Sequence, residues 1–211
     1  MKDTRTLSAV ILLIGCLFVV PRVEAQSGGR FDTATQAKAA QDLKQFEEKF
    51  KGAADRFEKF YVLSRMAPTA LAAGETGKAG DYAKQLLAMA VDLRKDWNYG
   101  NAIHVGNLVL GEIALDSGDI NEAKRYLLLA GDTPGSPQLD SFGPNMLLAR
   151  ELLEKGERDV VLKYFQKCSQ FWELQEDRLE SWRQTVNSGG LPKFGANLVY
   201  GMEYPAHAAM R

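Results

Sequence analysis

Leu110-Gly111-Glu112-Ile113-Ala114-Leu115-Asp116-Ser117-Gly118-Asp119, followed by Ala123, Leu127 and Ala130 with Pro134 just beyond, is the stretch that decides the fold. The apolar and small residues recur at helical steps on both sides of Gly118-Asp119. Gly111, Ala114, Ala123 and Ala130 are small enough to let two antiparallel helices approach closely. A Gly-Asp pair between them reverses the chain. The stretch therefore reads as one helix hairpin, and a stack of such hairpins is a binding architecture with no catalytic groups built in.

Two weaker copies flank it. Upstream, Ala70 and Leu71 belong to a first helix, Gly74 to Gly80 is the turn region, and Ala83, Leu87 and Ala90 mark a second helix. Downstream, Leu148, Ala149 and Leu152 precede Gly156-Glu157, and Val161, Phe165 and Cys168 follow. Aligned on Ala83, Ala123 and Val161, the copies lie 40 and 38 residues apart. The extra length fits in the connection Asp96–Gly100 and in the proline-rich loop Thr133–Asn145. Such a loop is either a functional segment or a lid over the junction of the second and third hairpins.

Outside the hairpins, Ala39, Leu43, Phe46 and Phe50 form a helical stripe capped by Asp32 or Thr33. After a break near Gly52, Ala53, Phe57 and Phe60 resume the stripe on a second helix, which Pro68 kinks or ends. The Phe stripe reads as core. Phe171 and Trp172 continue the last helix of the third hairpin. Leu179, Trp182 and Val186 make a final amphipathic helix ended by Ser188-Gly189-Gly190. Leu191-Pro192-Lys193-Phe194 is then extended, because the residue before proline disfavours helix, and the uncharged run 194–200 packs as a tail.

The chain has 211 residues and a formal charge of -1, which suits one domain and argues against nucleic acid as a partner. Lys2 and Arg5, the apolar run Leu7–Val20 and Val23-Glu24-Ala25 form a signal peptide over residues 1–25, cleaved after Ala25. A lipobox-like Leu13-Ile14-Gly15-Cys16 is the alternative, leaving Cys16 as a lipid anchor, and a retained signal anchor is a third reading. Cleavage after Ala25 removes Lys2, Arg5 and Arg22 against Asp3 and Glu24, giving a mature charge of -2. The mature chain, 26–211, is expected to be periplasmic or secreted, with no membrane span. Cys168 is then its single cysteine, on an apolar helix side, and reads as a buried small hydrophobe.

The resemblance follows from these residues. The region from about Phe57 to Trp172 resembles tetratricopeptide-repeat (TPR) proteins, with the second hairpin closest to the pattern. Asn107 departs from it where the family favours Trp, and Val161 where it favours Ala. Trp97-Asn98-Tyr99-Gly100-Asn101, Thr133-Pro134-Gly135-Ser136-Pro137, Phe142-Gly143-Pro144-Asn145 and Phe194-Gly195-Ala196-Asn197 also resemble segments of bacterial secreted repeat proteins to which no activity is attached. The resemblance implies an all-α, TPR-like antiparallel helix-hairpin array, an α-solenoid. It has extra N-terminal helices, a repeat core over about 57–172, and a C-terminal helix and extended tail over 173–211. It implies a non-enzymatic module that binds a protein or peptide in a concave groove lined by the first helix of each hairpin. That assigns Leu108, Glu112 and Asp116, and Met146, Arg150 and Glu154, to the groove. Their mixed charge predicts a polar or mixed ligand.

No zinc, phosphate-loop or nucleophile-elbow pattern occurs, so no metal and no cofactor is expected. Of the two histidines, His207 lies near the C-terminus. His104 shares one helical face with Asn101 and Asn107, at steps of three. This trio either contacts a small polar ligand, as binder or enzyme, or satisfies backbone groups of the adjacent loops. Asn101 and His104 therefore join the groove residues as candidates. A third reading makes the chain a structural subunit of an envelope assembly, with the tail 194–200 as docking strand.

Overall fold

The computed structural model describes residues 30–173, 176–202 and 204. The expected leader, Cys16, Ala25 and His207 lie outside them. The described residues contain nine α-helices and no strand: α1 (Thr33–Gly52), α2 (Arg56–Ala72), α3 (Thr76–Asp92), α4 (Tyr99–Asp116), α5 (Ile120–Gly131), α6 (Pro137–Phe142), α7 (Leu147–Glu154), α8 (Arg158–Cys168) and α9 (Glu176–Asn187), with a 3-10 turn at Gly195–Leu198. Helices α1 to α4 each pack on the next, α7 packs on α8 and α8 on α9, while α2 also meets α4 and α5 meets α8.

Short-range chemistry sets most of the boundaries. Asp32 caps α1 by accepting the Thr35 N–H at 2.7 Å. Asp55 caps α2 through Glu58 N–H, and Glu58 in return accepts the Ala54 N–H at 2.8 Å. The α2 helix runs through Pro68 to Ala72. The three hairpins turn in the same way. Gly74, Gly118 and Gly156 have φ of 78°, 84° and 86°, where a side chain is strained. After each glycine, the next N–H returns to a carbonyl five residues back: Glu75 to Ala70, Asp119 to Ala114, Glu157 to Leu152. The glycine N–H itself bonds Leu71, Leu115 or Leu153. This is one and the same helix-terminating motif, used three times.

Helix α4 is buried nearly all round, at Gly100 and Ala102, from His104 through Glu112 and at Leu115. A helix covered on nearly every side belongs inside a fold, and its polar residues must then find partners within the chain. Glycine permits its close packing: a methyl on Gly111 would stand 2.4 Å from Leu148 Cδ2. The main core runs from Ala39 and Leu43 through α4, α5, α7 and α8 to an aromatic group of Phe165, Trp172, Trp182 and Phe194. Phe46, Phe60, Leu63, Met66 and Leu86 form a second cluster between α1, α2 and α3. Burying each such side chain contributes about 1.5–3 kcal/mol.

Four local expectations need correction. Phe57 is 49% exposed, because Phe60, Leu63, Met66 and Ala67 set the buried face of α2. Helix α4 starts at Tyr99, so the connection expected through Gly100 is shorter. The loop Thr133–Asn145 contains α6, capped by Ser136 with Pro137 in its first turn. Helix α8 ends at Cys168, and Phe171 and Trp172 follow as a buried turn held by Trp172 N–H to Cys168 O at 3.0 Å.

Candidate functional site

Two polar constellations lie along α4, one in its middle and one at its end. The first is built on His104, whose ring is buried. Nδ1 lies 2.9 Å from the Ala130 carbonyl, which can only accept, so Nδ1 carries the proton. Nε2 then accepts the backbone N–H of Asn145 at 3.1 Å. Burial lowers the imidazole pKa to about 4, against the opposing pull of the Ala130 carbonyl. His104 is thus a neutral bridge from α4 to the end of α5 and to the segment before α7.

The neighbouring motifs close around it. Ser136 Oγ donates to Asn101 Oδ1 at 2.6 Å, and Asn101 Nδ2 donates to Asn98 and Gln138. Thr133 Oγ1 donates to Gly100 O at 3.0 Å. Tyr164 donates its hydroxyl to Asn145 O at 2.8 Å, while Asn145 Nδ2 donates to Tyr200 O. Asn197 Nδ2 donates to both Phe142 O and Pro144 O, and Met146 N–H returns to Asn197 O at 2.7 Å. The four motifs quoted from the sequence therefore meet in one network joining α4, the 133–145 loop and the tail. Asn107 Nδ2 bonds Ile103 O, one turn back on its own helix.

The second constellation sits where α4 and α7 end. Arg30, just before α1, has a side chain only 7% exposed. Its Nη1 donates to both oxygens of Glu151 at 2.6 Å and ion-pairs with Glu112. Its Nη2 donates to Asp116 at 2.7 Å. One guanidinium thus faces three carboxylates. Burial alone would lower the Arg30 pKa, but Glu112, Glu151 and Asp116 outweigh it and hold it above its ordinary value. Burial raises the Glu112 carboxyl well above the usual range, Arg30 opposes this, and Glu151 adds to it. Beside the clamp opens a cleft of about 480 Å³, lined by Arg30, Leu115, Asp116, Glu151, Glu154 and Lys155.

Of the expected groove residues, Leu108, Met146, His104 and Glu112 are buried within the chain and offer no surface to a partner. The tail reaches over this side of α4, where a methyl on Gly201 would lie 3.8 Å from Val105 Cγ2. Arg30 closes the far end. Asn101 is half-buried and engaged with the loop. Asp116 and Glu154 are exposed and share the cleft, with Arg150 donating to Glu154 at 3.1 Å. Sequence reasoning missed Arg30 and Glu151. Arg30 follows a glycine pair in what reads as a flexible start, and no local pattern links it to residues 82 to 121 positions away.

Cys168 is a buried free thiol, raised by burial. Among the described residues no helix is long and apolar enough to cross a membrane, and no group of three or more His, Cys, Asp or Glu is placed to hold a metal ion. Compared with known proteins, the chain matches no family model, no curated protein and no solved structure.

Proposed function

We propose that the protein is a non-catalytic interaction module with a TPR-like hairpin array, and that a protein or peptide partner docks with a basic segment at the acidic cleft between the ends of α4 and α7. The array reading is supported by the three identical turns at Gly74, Gly118 and Gly156. Its extracytoplasmic setting rests on the leader pattern of residues 1–25.

The observation that carries the docking reading is the cleft itself. It opens to solvent through Asp116 and Glu154, one from the first helix of each of two successive hairpins, and a guanidinium already fills its inner end. The occupant supports a planar cation with forked donors as the group these carboxylates take. The rival reading of Asn101, His104 and Asn107 as a small-molecule or catalytic site has no free imidazole nitrogen to work with, since both His104 nitrogens are engaged within the chain. The docking-strand reading of the tail would need Asn197 and Tyr200 to release bonds they make to the chain's own loop.

The test is crosslinking capture from the native envelope with the wild type and with Asp116→Lys/Glu154→Lys. A partner recovered by the wild type and lost on charge reversal supports the reading. A partner recovered equally by both, or none from either, overturns it.

A further inference from the structure

Arg30 and Phe31 enter the fold as a pair. Arg30 reaches the three carboxylates, and Phe31, buried beside it, joins the main core. The next residue, Asp32, is the extended N-cap of α1 and holds the Thr35 N–H with its own side chain. Helix α1 therefore keeps its cap whether or not residues 30 and 31 stay docked. Gln36 Nε2 to Phe31 O, at 3.2 Å, is the bond from α1 that would open.

The charge balance also differs from that of a plain structural ion pair. One guanidinium needs one carboxylate for a forked bond, and Asp116 provides it, accepting from Nε at 3.4 Å and from Nη2 at 2.7 Å, while Glu151 shares the Nη1 donor between its two oxygens. Glu151 and Glu112 add two more acids to the same pocket, and no hydrogen bond reaches Oε1 of the buried Glu112. Glu151 and Asp116 thus present two carboxylates to one guanidinium at the inner end of the cleft, and Asp116 keeps half its surface in solvent.

Resting on the docking reading above, we propose that the Arg30–Phe31 arm is an intramolecular occupant that holds the α4–α7 cleft closed, and that the partner opens it with an extended segment carrying its own arginine followed by an aromatic residue. The incoming guanidinium takes the Asp116 fork and the Glu151 oxygens, and its aromatic ring takes the place of Phe31. A tethered arm competes at an effective concentration on the order of millimolar, so it weakens the apparent affinity of a free segment by the ratio of closed to open arm.

The test titrates a labelled peptide of residues 28–34, and its Arg30→Ala version, into three proteins: wild type, Arg30→Ala, and Arg30→Ala/Glu151→Gln. Arg30→Ala should bind the arginine peptide at least about 10-fold more tightly than the wild type. The alanine peptide should not bind, and Glu151→Gln should remove the gain. Equal binding by wild type and Arg30→Ala overturns the arm's role while leaving the cleft as a docking site. Binding by neither overturns both. If Arg30→Ala lacks a cooperative melt, Arg30→Lys replaces it. It keeps the charge but loses the fork, so it should fall between the two, and wild-type behaviour there counts against the arm.

Discussion

The Nε2 of His104 accepts the backbone N–H of Asn145 at 3.1 Å, and this bond joins the middle of α4 to the residue that organises the start of α7. Asn145 Oδ1 in turn accepts the Leu147 N–H at 2.8 Å. The bond exists only while the imidazole is neutral, because a protonated Nε2 has no lone pair to offer.

Stability should therefore depend on pH through His104. Its folded pKa, about 4, lies below the ordinary 6.5, so between these values the unfolded chain binds more protons. The contribution is fully present above pH 6.5 and is lost as pH falls through 4. Urea unfolding should show about 2 kcal/mol less stability at pH 5 than at pH 7 from this group. His104→Gln should lack that increment. A variant with the full wild-type slope would show that His104 does not titrate in this way.

Glu112 should act in the opposite sense. Its folded pKa is raised, so above the ordinary carboxylate range the folded state keeps a proton that the unfolded state releases. Wild-type stability should fall as pH rises from about 4.5 through the folded value. Glu112→Gln has nothing to release, so its stability relative to wild type should climb from pH 5 to pH 8. A flat difference over that range would contradict the assignment.

Gly100→Ala should be among the most damaging single-methyl changes in the chain. The added carbon would lie 1.8 Å from the Gly135 carbonyl oxygen and 2.5 Å from its carbon. Backbone on both sides must separate, at a cost of about 3 kcal/mol. Gly118→Ala meets no atom within 4 Å and should cost about 1–2 kcal/mol from its φ of 84° alone. Thermal melts of the two variants, compared with wild type, check the order.

Asn197→Ala should loosen the tail. It removes one buried amide that serves both Phe142 O and Pro144 O, leaving two carbonyls without that donor. The expected loss is about 2–3 kcal/mol. Limited proteolysis should cut earlier within 190–202 than in the wild type, whereas unchanged cutting would show that the tail is held by other contacts.

Several elements were legible from residues alone because their causes are local. Asp32 and the glycines at 74, 118 and 156 act within a few residues of themselves, so caps and hairpin turns can be read along the chain. Asn101, His104 and Asn107 stand out along the chain as polar residues on one helical face, but the loop partners of Asn101 and His104 lie 26 to 41 positions away, so spacing alone leaves their role open. Phe57 and Phe60 share a helical stripe, yet which of them faces inward depends on where α1 and α3 pack.

The sequence by itself determined that the chain is helical and that it turns back three times at Gly-Asp or Gly-Glu pairs. Those outcomes follow from backbone geometry and hydrogen bonds closed over five residues or fewer. Only the tertiary structure decided that four separated motifs form one network, and that Arg30 meets Glu112, Asp116 and Glu151. Such meetings depend on how whole helices pack, and no spacing between adjacent residues encodes which buried charge will find which partner.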